Sequence, residues 1–148
     1  VWDTYIVSDP DAGTVYESFD DLAGKKVYAT TATNQAAMAE TYLEENPDAF
    51  ELIYGEYNNE QIVQAITSGA VDASLAPKYQ VDNWNRSFDE NLAIGSEPVH
   101  NSDAYLLFNK ETDQAFIDAV NTALEELKAD GTIKELSEEY LDGDYVPE

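Results

Sequence analysis

Apolar positions along the chain switch repeatedly between two periods. Residues 2–7 alternate loosely and predict a strand, which the turn-forming stretch SDPDAG at 8–13 ends. In SFDDLAG, Ser18 is placed to cap one short helical turn, with Asp21 in its first turn and Gly24 as its stop. Residues 26–30 predict a strand and 35–45 a helix whose inner face carries Met38, Tyr42 and Leu43, ended by Pro47. A second apolar run covers 50–54. Asn59 is the expected cap of a helix reaching Ser68, with Ile62, Val63 and Ile66 on one face and Gly69 closing it. Residues 71–75 predict a short buried strand, Pro77 suits the first turn of a helix toward Trp84, and 92–94 predict another short strand. Strands alternating with helices over this distance predict an α/β domain with a mainly parallel sheet and helices packed on it.

Residues 105–108 predict a last strand, and after it the pattern becomes helical only. Phe116, Ile117, Val120, Leu124 and Leu127 mark a long amphipathic helix that Gly131 stops. Thr132 and Glu135 have the spacing of a capping box for a final helix bearing Ile133, Leu136 and Tyr140. An apolar stripe of this kind needs a cover. The sequence shows no internal repeat and no low-complexity tract.

With 148 residues, of which 43% are hydrophobic, the chain can form one domain with a sizeable core or two small lobes. Its 7 Lys and Arg against 31 Asp and Glu give a formal net charge of -24, which makes phosphate backbones and anionic membranes poor partners and sets nucleic-acid binding aside. Such acid-rich faces are ordinarily solvated, and salt adaptation would produce the same composition. Cysteine is absent, so there is no disulfide, thiol nucleophile or thiolate metal site. No apolar run approaches the roughly 20 residues of a membrane span, and no signal-peptide pattern is visible. A start at Val1 rather than Met is expected of a mature product, a proteolytic remnant or a designed piece.

Candidate chemistry is sparse. His100 is the single histidine, and a triad with Ser102 and Asp103 is disfavoured because adjacent strand residues point to opposite faces. The Asp9 and Asp142 turns lack the ligand spacing and closing Glu of a calcium loop, and no pair among the many carboxylates stands out for acid–base work. The reading therefore has no catalytic residue, no metal and no cofactor. What remains is recognition by hydroxyls, amides and backbone N–H groups. One stretch is suited to it: in KVYATTATNQAAMAETYLEE, a strand passes into a helix through small uncharged residues, with no acid at the helix start. A helix N-terminus exposes unpaired N–H groups and a positive dipole end, where Asp or Glu would be welcome. Left neutral, the spot is open to an outside anion; equally, Thr33 or Asn34 is simply an N-cap.

Three stretches together resemble one family. FDDLAGKKVYATTATNQAA is similar to the segment opening the second lobe of bacterial extracellular amino-acid-binding proteins, the solute receptors of ABC importers. SGAVDASLAPKYQVDNW resembles the helix-Gly-x-hydrophobic-Asp-Ala-strand that follows in that lobe. AYLLFNKETDQAFIDAVNTALEELKADGTIKELSEEYL is similar to the family's C-terminal end, where a hinge strand leads into two helices.

The resemblance implies a periplasmic-binding-protein type II fold, whose two α/β lobes, joined by hinge strands, close on a ligand. It implies residues 1–8 as a hinge strand, 9–102 as the second lobe, and 103–148 as a hinge strand and C-terminal helices of lobe one. In the family, the turn matching residues 31–35 meets the ligand's α-carboxylate, which makes Thr31, Thr33, Asn34 and Gln35 the implied binding residues. Ala76 and Pro77 stand at a further ligand position, but Pro77 replaces the Asp that holds the α-ammonium in many members. Either another acid such as Asp82 substitutes, or the ligand lacks a free ammonium, or the group lies elsewhere. Ala32 replaces a common glycine. The family's long N-terminal section, with its carboxylate-pairing arginine, has no counterpart here, so the Phe116–Leu127 stripe is expected to fold back on the remaining lobe, pair with a second copy, or meet a lost fragment. The implied function is non-enzymatic: an extracellular or periplasmic solute-binding component, anchored as a lipoprotein in some members, capturing a polar amino acid or cystine for an ABC permease. A sensor domain of the same fold and a dehydratase acting on cyclic acids stay open as alternatives.

Overall fold

The computed structural model describes residues 2–141 and 143–146. Two compact units emerge: Asp3–Asn101, and Ser102–Glu148 together with Val1–Trp2. The first contains β1 (Trp2–Ser8), two 3-10 turns (Pro10–Ala12 and Phe19–Leu22), β2 (Lys26–Thr30), α1 (Asn34–Glu45), β3 (Glu51–Gly55), α2 (Asn59–Thr67), β4 (Ala73–Pro77), α3 (Lys78–Phe88), β5 (Ala93–Ile94) and β6 (His100–Ser102).

The sheet order is β3-β2-β4-β1-β5, with β6 also pairing β1. β2 runs parallel to β3 and β4, whereas β1 is antiparallel to β4 and β5. The sheet is thus mixed: one strand reverses a set that is otherwise parallel along the principal path. Alternation sorts the side chains to two faces. Val7, Tyr28 and Ala76 pack with α2 and α3 through Ile62, Val63, Ile66, Val81 and Trp84. Ile6, Val27, Ala73 and Leu75 pack with Ala39 of α1, Leu22 and Phe50. Because both faces are covered, all five residues of β4 are buried.

Several boundaries differ from the sequence expectation for local reasons. The cap of α2 is Asn58, not Asn59: its Oδ1 accepts from the Gln61 N–H at 2.9 Å while Gln61 Oε1 accepts from the Asn58 N–H at 3.0 Å. The helix starting after Pro77 continues to Phe88, where Asp89 takes a left-handed φ of 55°. On α1 the buried centre is Ala36 and Ala39, with Met38, Tyr42 and Leu43 flanking it at partial burial. Around the Phe19–Leu22 turn, the backbone N–H groups of Glu17 and Ser18 hold the Asp21 carboxyl below its ordinary range.

In the second unit α4 (Gln114–Ala129) and α5 (Thr132–Leu141) pack together. Residues 105–108 form no strand; Tyr105, Leu106 and Leu107 are exposed. An apolar run becomes a strand only with a neighbour to complete its ladder. Thr132 is the first residue inside α5 rather than its cap, and its N–H donates to Asp130 Oδ1 at 2.9 Å. None of α4's residues is buried, and Phe116, Leu127, Leu136 and Tyr140 stand open.

Candidate functional site

The connection from β2 to β3 carries α1 on one face of the sheet; the connection from β3 to β4 carries α2 on the other and passes over β2. The winding therefore reverses between the parallel neighbours β2 and β4. Outside the carboxyl ends of such strands the chain diverges to opposite faces and leaves a crevice. A pocket of about 120 Å³ lies there, lined by Thr30, Thr33, Gln35, Ile62, Ser74, Leu75, Gln80 and Trp84. Neither Asp nor Glu is among these residues, although the chain holds 31 of them.

The turn between β2 and α1 is held by its own threonines. Thr31 donates through its N–H and its hydroxyl to the Gly55 carbonyl, at 3.0 and 3.3 Å. Thr33 is the N-cap: its Oγ1 accepts from the Ala36 N–H at 3.2 Å and donates to the Thr30 carbonyl at 2.7 Å. Both hydroxyl protons are committed within the chain. Among the described residues, the backbone N–H groups of Asn34 and Gln35 carry no protein partner, and the α1 first turn holds no acid. The donors the turn leaves unspent are thus the backbone N–H groups of Asn34 and Gln35 and the Gln35 amide.

Tyr28 supports this turn from below. It is fully buried, its hydroxyl accepts from the Tyr57 N–H at 3.0 Å, and its ring stacks on Tyr57 at 4.7 Å. Gly55 fits beside both rings: a Cβ there would meet Tyr28 at 3.2 Å and Tyr57 at 3.3 Å.

Of the residues singled out in the sequence, the structure brings Thr33 and Gln35 into the pocket lining and sets Thr31 and Asn34 in the same turn. Ala76 is buried in β4, paired with Tyr5, and Pro77 caps α3; neither lines the pocket. Asp82 forms an ion pair with Lys78 one turn away on α3. Thr30, Ser74, Gln80 and Trp84 were not anticipated; their role depends on the crevice, which local sequence does not display. His100 is exposed on β6. The Asp142 turn lies outside the described residues. Among the described residues no group of three or more His, Asp or Glu is placed to hold a metal ion, and no helix is long and apolar enough to cross a membrane.

No protein-family model matches the chain. It is 30% identical over 129 residues to the L-cystine-binding protein TcyK of Bacillus subtilis, an alignment covering 87% of this chain and 47% of that protein. With the L-cystine-binding protein TcyJ of the same organism it shares 26% identity over 95% of this chain and 52% of that one. Among solved structures, the "probable amino-acid ABC transporter extracellular-binding protein ytmK" of Bacillus subtilis superposes with a TM-score of 0.83 at 26% identity, over 95% of this chain and 60% of the other. The chain spans about half the length of the curated relatives it matches. Its mixed sheet and flanking helices are those of the periplasmic-binding-protein type II fold.

Proposed function

Because the chain is a homologue of the L-cystine-binding and amino-acid-binding proteins of bacterial ABC importers over about half their length, we propose that it captures a polar amino acid, cystine included, for import. The relatives are binding proteins by name, and the role proposed here is likewise non-enzymatic. Residues 1–8 serve as a hinge strand, 9–102 as the second lobe, and 103–148 return to lobe one. An ABC permease receives the loaded protein at the outer face of the cytoplasmic membrane, where the protein is either held at the cell surface by a lipid anchor or carried in the periplasm.

The observation carrying this reading is an acid-free pocket at the topological switch point of a strongly acidic chain, beside a helix start whose first N–H groups are unpaired. A carboxylate fits that environment, since donors and helix dipole favour it and no neighbouring anion opposes it. Asn34 and Gln35 supply the donors; Thr31 and Thr33 shape the turn. A ligand's ammonium finds no acid in this lining, and Asp82 is engaged by Lys78.

Thermal unfolding of the intact gene product against the common amino acids and cystine tests the reading. A ligand at 100 times its Kd adds about 2.7 kcal/mol of stability if it binds only the folded form. We expect such a shift with at least one polar amino acid. Gln35→Glu should abolish it without loss of fold, because an acid in the first helical turn favours the helix while repelling a carboxylate. A screen with no shift, or a Glu variant that binds as well as the parent, overturns the proposal.

A further inference from the structure

Trp84 is only 1% exposed, and its Nε1 is buried with no hydrogen-bond partner in the protein. Native cores seldom leave an N–H unpaired, so this donor calls for an acceptor. The polar groups sharing its pocket do not provide one. Ser74 Oγ donates to the Tyr28 carbonyl at 3.2 Å, the Thr30 carbonyl accepts from Thr33 Oγ1, and the Gln80 amide donates to Asn59 Oδ1 at a long 3.4 Å. Yet the indole lines the same recess as Thr33 and Gln35 at the start of α1. This uncharged recess is lined by a tryptophan whose closed-off indole N–H has no partner, and it lies at a helix start whose first backbone N–H groups are unpaired, so it holds unspent donors that an anion can use.

Resting on the function proposed above, we infer that Trp84 is a further ligand-binding residue, its Nε1 donating to a carboxylate oxygen of the bound amino acid. The other donors hold the same carboxylate from α1, so the group is gripped from two helices on opposite faces of the sheet. Nε1 is closed to solvent in this conformation, and the ligand oxygen gains it by a side-chain movement at the rim. Gln80 is suited to that movement: it is half-buried, and its long bond to Asn59 is a weak restraint.

The test is a titration of the ¹⁵N-labelled intact protein with L-cystine and with L-arginine, followed through indole and backbone N–H resonances. This chain has two tryptophans, Trp2 and Trp84, and Trp84→Phe assigns the second. The Trp84 indole proton should move downfield in step with the Asn34 and Gln35 amides, and the Phe variant should bind about tenfold more weakly. If that variant does not fold, the titration of the parent decides. Amide shifts at Asn34 and Gln35 with a stationary indole overturn the Trp84 assignment and leave the proposed function standing. An indole already at a hydrogen-bonded position, unmoved by ligand, marks a resident water and also overturns it. Silence from all three groups with both amino acids overturns the site and the Trp84 role together.

Discussion

Ala32 holds a φ of 59°, in the left-handed region where a Cβ crowds the following carbonyl. It sits between two threonines whose hydrogen bonds fix the turn on both sides, so the backbone cannot relax without breaking them. Ala32→Gly removes the crowding but adds freedom to the unfolded chain, and relief of strain is the larger effect at such a position. We expect a gain of up to about 1 kcal/mol in urea unfolding; a loss of similar size would show that the turn is unstrained. Residue identity was most informative in this turn and also most ambiguous. Thr33 reads equally as an N-cap or as a ligand donor, and the structure uses its hydroxyl for the cap, leaving the adjacent backbone N–H groups unpaired. Trp84 shows the opposite limit. Nothing in its local sequence distinguishes a packed indole from one whose N–H lacks a partner, because that depends on what surrounds it after folding.

At the scale of elements, α2 tests how much a cap contributes. It is nine residues long, too short to persist alone, and its first turn is tied by the reciprocal Asn58 and Gln61 bonds. Asn58→Ala leaves the Gln61 N–H without its acceptor and should cost about 1 kcal/mol in chemical denaturation. The corresponding Asn59→Ala change, inside the helix, should be close to neutral; a loss at Asn59 with none at Asn58 would place the cap where the sequence had put it. That one-residue displacement is typical of what pattern reading resolves. The period-2 and period-3.6 runs were sufficient to place β2, α1, β3, α2 and β4 as elements, but they revealed the buried positions only in part: α1 centres on Ala36 and Ala39, β3 has no fully buried residue, and β4 is buried throughout. They carry no strand direction, so the reversed β1 was invisible beside its parallel neighbours. They also carry no pairing information. Residues 105–108 have a strand's composition, and the structure leaves them irregular.

Across the whole molecule, 31 acids face 7 Lys and Arg, and charge repulsion becomes a term in stability. The ion pairs Lys25–Asp72, Lys78–Asp82 and Lys134–Asp144 all join partly exposed groups, and such pairs are worth little each. Salt weakens attraction and repulsion alike, with a screening length near 30 Å at 0.01 M and about 10 Å at 0.1 M. With a formal charge of -24, the repulsive pairs far outnumber the attractive ones. The melting temperature should therefore rise from 0.01 to 0.5 M sodium chloride, with most of the rise in the lower part of that range. Chloride is the right choice because strongly excluded anions such as sulfate stabilise by a separate route. A curve that falls over this range would mean that the few ion pairs outweigh the repulsion. The same arithmetic bears on the pocket. In so acidic a chain an acid-free recess is an electrostatic exception, and added salt should weaken the long-range repulsion that an approaching carboxylate meets before reaching it.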